Sequence, residues 1–426
     1  MNIIAHNGNP FEGSPTLKEK PRKPKFFMRL VVAILAYPPL IIRGHRFIKK
    51  NMKKIKHPYI LLVNHNSYLD YRIAAKAVLP HPASNVVALE GFIGLEKPMH
   101  WIGGIGRRKF THDITFIRHV LHVLRNYKNS LIMYPEARYS LVGTPSKLPD
   151  GLGKLIKVAK VPVVTLINHG NHLAQPYWHP YKRFVRPKSY LTQIITQEEI
   201  EQLSVQEINR RVHQAFQYDD YLWQQKNNVK IAHKKRAEGL HRVLYQCPSC
   251  FQENQMVSEG ANLICKACDT QVTLSEYGVL TALDKDPIFT HIPDWFEWQR
   301  TQVRQEIIDK KFSIATPVKV YALPNSKGFI PLENGFLEYD YQSIKLSYTF
   351  NNETFIETID ARKQQAIHIE FDYLNQGQAM SFSTDSQTYF IFIDAAVVPV
   401  TKLYLVAEES HLELCQTNKI KTSSRS

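Results

Sequence analysis

The stretch that decides the fold runs Leu62-Val63-Asn64-His65-Asn66-Ser67-Tyr68-Leu69-Asp70. It ends an apolar run that begins at Tyr59 and stops abruptly at Asn64-His65. A short apolar run closed by a polar turn reads as a strand buried on both faces. Ser67 then starts a helical pattern that lasts to about Val78. A strand that feeds a helix in this way delivers His65 to its carboxyl end, where α/β folds place their ligand crevices. Asp70 follows five residues later, and a carboxylate beside an imidazole fixes its tautomer and stabilises the imidazolium. The same residues match a helix-capping box in outline, Ser67-x-x-Asp70, which needs no catalysis. On this segment alone both readings stand.

Outward from it, β-like runs at 85–89, 130–134 and 161–167 alternate with helical patterns at 111–127 and 151–160, with Thr111 as an N-cap. Strands alternating with helices predict an α/β layer fold over 57–227, and 197–243 reads as mostly helical. Three further segments carry side chains suited to chemistry. Tyr134-Pro135-Glu136-Ala137-Arg138-Tyr139-Ser140 sets a carboxylate and a guanidinium in one turn. Gly103-Gly104-Ile105-Gly106-Arg107-Arg108 reads as a flexible cationic loop fit for a phosphate. Pro162 opens a later apolar strand.

The order and spacing of these blocks resemble the glycerolipid acyltransferase family, whose members acylate glycerol 3-phosphate and lysophosphatidic acid. Asn64, His65 and Asp70 match its first block, Gly103 to Arg108 loosely its second, Tyr134, Pro135, Glu136 and Ser140 its third, and Pro162 its fourth. In the third block Ala137, Arg138 and Tyr139 stand where the family has glycine, threonine and arginine, so the arginine comes one residue early. The resemblance implies an acyltransferase-like domain in which His65 is the general base and Asp70 orients it. Asn64, Arg107, Arg108, Glu136 and Arg138 are the substrate-binding candidates. The implied reaction is direct attack of a lysophospholipid hydroxyl on acyl-CoA or acyl-carrier protein, most simply 1-acylglycerol-3-phosphate giving phosphatidic acid in phospholipid biosynthesis. No Gly-x-Ser-x-Gly elbow is present to offer an acyl-enzyme.

Four of the five cysteines form two knuckles, Cys247-Pro-Ser-Cys250 and Cys265-Lys-Ala-Cys268, fourteen residues apart. Two CxxC pairs at ribbon spacing predict a four-thiolate Zn²⁺ site over 247–280, closed to further ligands and therefore structural, with iron the competing metal. Cys415 stands apart as a buried thiol. A helical linker at 228–246 precedes the ribbon and an amphipathic helical linker at 281–316, bearing Trp295, Phe296 and Trp298, follows it. The β-branched and aromatic alternation of 317–393, punctuated by Asn334-Gly335, reads as a β-rich module with a closing helix to about 416 and a tail at 417–426.

The N-terminal 25 residues are polar and read as disordered. Residues 26–56 place an apolar run between cations, among them Lys23, Lys25, Arg43, Arg46, Lys49, Lys50 and Lys54. Pro38-Pro39 breaks that run, so it reads as an interfacial or re-entrant hairpin. Lys+Arg 54 against Asp+Glu 38 gives a net charge of +16, which favours an anionic partner. These features predict a peripheral protein on the cytoplasmic face of a membrane, with membrane phospholipids, a lysophospholipid acceptor and acyl-carrier protein as partners. No nucleic acid is expected, although a basic zinc-ribbon nucleic-acid-binding protein is the rival reading. The third reading is a membrane-bound lipid-binding protein without catalysis.

Overall fold

The computed structural model describes residues 6, 8–53, 55–111, 113–282 and 286–423. Lys54 and the extreme ends of the expected N-terminal segment and C-terminal tail, 1–5, 7 and 424–426, lie outside the described residues.

Seven strands build the α/β half: β1 (Arg46–Lys50), β2 (Ile60–Val63), β3 (Ala83–Ala88), β4 (Gly104–Arg107), β5 (Ser130–Met133), β6 (Val163–His169) and β7 (Lys188–Ile195). Their order is β1-β7-β6-β2-β5-β3-β4, with β7 antiparallel to β6 and the other pairs parallel. The strand that carries the deciding stretch, β2, is central, and its four residues are 0% exposed. Because strand side chains alternate between faces, Ile60 and Leu62 join the core beneath Phe116, Val120 and Ile156, while Leu61 and Val63 join Leu40, Ile73 and Val78 on the other face. Burial on both faces is what made the segment read as an uninterrupted apolar run.

Several expectations are corrected. The segment at 26–56 is not a broken hairpin: Phe26–Ile42 is one helix that continues through Pro38 and Pro39, and β1 then joins the sheet beside β7. Ala36 and Leu40 anchor that helix on the sheet, and their burial holds the last turns together although two backbone donors are missing. No described helix is long and apolar enough to cross a membrane. Within the N-terminal 25 residues, Pro15–Lys18 is helical and Thr16 Oγ1 meets Glu96 Oε1 at 2.7 Å and Ser326 Oγ at 2.9 Å, so this segment is ordered by contacts to both halves of the chain. Gly104 to Arg107 is a strand, not a flexible loop; a side chain at Gly104 would lie 2.8 Å from the Met99 carbonyl, and the glycine permits that close approach. Thr111 does not cap the following helix, Ile114–Arg125, because Asp113 does, accepting from Thr115 N. The helices Gln197–Gln202, Val205–Ala215 and Asp220–Lys226 follow the prediction, but 228–246 holds only the single 3-10 turn Leu240–Arg242.

The ribbon is a four-stranded antiparallel sheet within Met256–Thr281. The helix Ile292–Ile308 staples it in place: Trp295 donates to Gln246 O at 2.9 Å, and Gln299 bridges Val243 O and Gln246 N. Eight strands between Ser313 and Phe392 form the last sheet, closed by the helix Val400–Ser423, which extends into the expected tail. One continuous apolar core runs from Leu141, Trp178 and Trp223 of the α/β half through the ribbon to Tyr389 and Leu403 of the module. The three parts therefore pack as one body instead of hanging on linkers.

Candidate active site

His65 leaves the carboxyl end of β2 and Asp70 sits in the first turn of the helix Leu69–Val78. The turn between them folds back, bringing His65 Nδ1 to 3.3 Å from Asp70 Oδ2. That oxygen also accepts from Asn66 N at 2.5 Å and Ser67 N at 2.8 Å, and Oδ1 accepts from Asn171 Nδ2 at 2.5 Å and Asn168 Nδ2 at 3.5 Å. The carboxylate is fully buried, and N–H donors from two strand ends balance its charge in place of a cation. One carboxylate thus serves both readings of the sequence: it reaches back to the N–H groups of the turn as a capping residue does, and it orients the imidazole. Nδ1 bearing the proton toward Asp70 leaves Nε2 with its lone pair, and no described group hydrogen-bonds Nε2. Tyr134 and Tyr139 pack beside the His65 ring at centroid distances of 4.4 and 4.0 Å, leaving the imidazole about one-fifth exposed.

The remaining candidates divide. Asn64 is buried and spends both ends of its amide on the backbone of Asn168, fastening β2 to β6, so it is not free to bind substrate. Glu136 accepts from His65 N at 3.2 Å, Ser146 N at 2.7 Å and the Tyr218 hydroxyl. It ties the Pro-Glu turn to the histidine backbone, and burial pushes its carboxyl up to about 7. Arg108 is buried and donates to the carbonyls of Leu323, Pro324 and Ser386, clamping the β-rich module to β4. Arg138 is 3% exposed, pairs with Glu408 and donates to Ile367 O at 3.2 Å. Both arginines are spent on acceptors of the β-rich module.

Arg107 differs. It donates to Thr111 O at 3.1 Å and lies over the Phe116 ring at 4.5 Å, while its Nε is buried without a partner. Arg107 lines a cavity of about 260 Å³ on the Glu136 side of the His65–Asp70 turn, together with Lys147, Phe110, Phe116, Leu155 and Lys363. A second cavity, about 300 Å³, opens on the Tyr139 side between Ser67, Tyr68, Tyr177, Arg242 and Glu370. The sequence reading missed Asn168, Asn171, Lys147 and Lys363, because nothing in their local pattern marks them; tertiary packing alone brings them to the site.

The four knuckle cysteines gather as expected, with Sγ atoms 3.7 Å apart for Cys247–Cys268 and for Cys250–Cys265, and all four within 4.8 Å of one another. A tetrahedron with metal–sulfur bonds of about 2.3 Å has edges of about 3.8 Å, so the cluster fits one metal ion. Cys415 lies apart beside His411, partly exposed, not the buried thiol expected.

The fold and this geometry agree with a family match. Residues 42–168 match the family model described as Acyltransferase, which takes in His65, Asp70, Arg107, Glu136 and Arg138. The chain thus carries an acyltransferase domain, joined to a cluster of four cysteines and a β-rich module. Among solved structures, the 1-acyl-sn-glycerophosphate acyltransferase of Thermotoga maritima is similar over 43% of this chain and 79% of that one, at 14% identity and a TM-score of 0.33. No curated protein matches the sequence.

Proposed function

We propose that the protein transfers a fatty acyl group from acyl-CoA or acyl-carrier protein to the hydroxyl of a lysophospholipid, with 1-acylglycerol-3-phosphate as acceptor and phosphatidic acid as product. The observation that carries this reading is the His65–Asp70 dyad at the end of a central strand, with Nε2 open. His65 Nε2 takes the proton of the acceptor hydroxyl as its oxygen attacks the thioester carbonyl. The imidazolium, held by Asp70, then returns that proton to the departing thiolate. The acceptor's phosphate is assigned to the Arg107 side of the turn. The four-cysteine cluster is assigned a structural Zn²⁺, because four thiolates leave no position for substrate.

The helix Phe26–Ile42 supports action at a membrane surface. Phe26, Leu30, Ile34, Leu35, Ile41 and Ile42 are each at least 60% exposed, and Lys23, Lys25, Arg29 and Arg43 flank them. An apolar face rimmed by cations suits peripheral binding to anionic lipid. The reading is tested by acyl transfer from labelled acyl-CoA and acyl-carrier protein to 1-acylglycerol-3-phosphate and glycerol 3-phosphate in liposomes. Transfer that His65→Ala abolishes supports it; folded, metal-loaded protein that transfers to no lysolipid overturns it.

A further inference from the structure

The arginine that the third block displaces is spent on a loop, and the loop brings its own cations to the site. Arg138 donates to Ile367 O at 3.2 Å, and His411 Nδ1 meets Ala361 O at 3.2 Å. Between these two anchors, 361–367 lies over the Pro-Glu turn and carries Arg362 and Lys363 into the cavity that Arg107 lines. Arg362 is paired with Asp360 and so is largely neutralised. Lys363 is exposed and its charge is felt by Asp360, which Arg362 already pairs, while the charge of Lys147 is felt by His411. Asp113 and Asp150 also face this cavity, but Asp113 is committed to capping the helix Ile114–Arg125.

Thr111, Glu136, Gln365 and His411 add polar groups, and Phe110, Phe116, Met133 and Leu155 form an apolar wall. A cavity with one apolar wall and a few converging cations fits an amphiphile that ends in a phosphate, and it begins at Glu136, which hydrogen-bonds the His65 backbone. We propose that Lys363 of the C-terminal module completes, with Arg107 and Lys147, a binding site for the phosphate of an amphiphilic substrate, so that the module is part of the active site and sets its specificity. The inference rests on the acyl-transfer reading for its setting, but the phosphate site stands on the geometry of the cavity. The phosphate comes from the lysolipid acceptor or from the phosphopantetheine arm of the thioester, and kinetics separate the two sources.

The test uses the full, metal-loaded chain. Lys363→Ala and Lys363→Arg are compared with wild type for acyl transfer to 1-acylglycerol-3-phosphate and to uncharged monoacylglycerol. Direct binding of 1-acylglycerol-3-phosphate and of acyl-CoA is measured in parallel. Loss of one charged contact raises the KM for the phosphate-bearing substrate about tenfold, with kcat little changed, and Lys363→Arg restores it. A rise confined to the lysophosphatidate assigns the acceptor; a rise confined to acyl-CoA assigns the donor. Monoacylglycerol turnover stays level in the first case. If wild type binds the phosphate-bearing ligand and Lys363→Ala weakens that binding while no lysolipid is acylated, the acyl-transfer reading falls and the phosphate site survives. Binding and KM values of Lys363→Ala equal to wild type overturn the proposal, whatever the enzyme acylates.

Discussion

Arg138 and Glu408 form an ion pair in which each side chain is 3% exposed, and it joins the Pro-Glu turn to the helix that closes the molecule. Arg300 shares the same carboxylate from the opposite side, and the Arg138 guanidinium lies over the Tyr404 ring at 3.9 Å. Two guanidiniums around one buried carboxylate hold the Glu408 carboxyl below the usual range: burial opposes ionisation, but the neighbouring charges of Arg138 and Arg300 outweigh it.

Removing Arg138 leaves the buried Glu408 carboxylate to Arg300 alone, which Glu409 also claims, at a cost that approaches the roughly 3–5 kcal/mol of a broken buried pair. Arg138→Ala is therefore expected to lower the denaturation midpoint sharply and to loosen the module, measured by thermal unfolding and by limited proteolysis near 361–367. Arg138→Met combined with Glu408→Leu, which removes the pair together, recovers much of that loss. An Arg138→Ala protein of wild-type stability with a selectively raised acceptor KM would return this arginine to the phosphate.

Asp70→Asn tests the dyad without emptying space. The amide no longer favours the proton on His65 Nδ1, so Nε2 becomes a donor and loses its capacity to accept the substrate proton. The expected outcome is a fall in kcat of about 10²–10⁴-fold with the far-ultraviolet circular dichroism unchanged. Activity within a factor of about three of wild type would reduce Asp70 to a turn cap.

Much of the α/β half was legible because its signals are local. The 59–63 run ends where β2 ends, the helical patterns fall where the helices lie, and two CxxC knuckles need only their own spacing to predict a cluster. Within the candidate site, the meeting of His65 and Asp70 was legible because one short local turn joins them. Arg108 and Arg138 misled because a cation near a catalytic block looks the same in sequence whether it faces a phosphate or the acceptors of a distant segment. Leu323 and Glu408, which claim them, lie 215 and 270 residues away. Gly103 to Arg108 failed for the converse reason: glycines read as flexibility where they serve close packing of a strand. Pro38-Pro39 failed because burial of Ala36 and Leu40 overrides a local penalty.

Metal removal should be felt far from the cysteines. Cys247 and Cys265 are buried in the same apolar core as Trp295, Tyr389 and Leu403, so loss of the ion leaves two of its four thiolates inside a shared core. One metal equivalent per chain is expected by elemental analysis. Chelation or Cys265→Ser should lower the melting temperature of the whole chain as one transition, without a separate ribbon step. A folded, fully stable apo-protein would mean that the cluster is dispensable to the core.

Membrane association is expected to depend on the exposed face of Phe26–Ile42. Leu30 is 65% and Ile34 is 60% exposed, so charging them disturbs no packing within the chain. Leu30→Asp combined with Ile34→Asp should abolish sedimentation with anionic vesicles while leaving the melting temperature unchanged. Wild-type binding should weaken as salt screens the flanking cations. Equal sedimentation of the variant would move the membrane contact elsewhere.

Glu136 gives the stability a pH dependence of predictable sign. Burial raises its folded carboxyl from 4.5 to about 7, so between these values the folded state holds a proton that the unfolded chain releases. Stability rises with pH only where the unfolded state binds more protons. Here the folded state binds more, so this group's contribution is intact below about pH 4.5 and is lost as pH climbs through about 7. The total across that window is of the order of 3 kcal/mol. Burial also raises the carboxyls of Asp220 and Glu253, which add slope of the same sign, so Glu136 is read from the difference between wild type and variant. Glu136→Gln, which cannot ionise, is expected to flatten the slope by its own share, and denaturant unfolding at pH 5, 6, 7 and 8 measures it. Because the same carboxyl group holds His65 N and Ser146 N, the variant should also be less stable than wild type at pH 5, where both are neutral but only the acid keeps its native fit. A wild-type slope that Glu136→Gln leaves untouched would place the titration on another buried group.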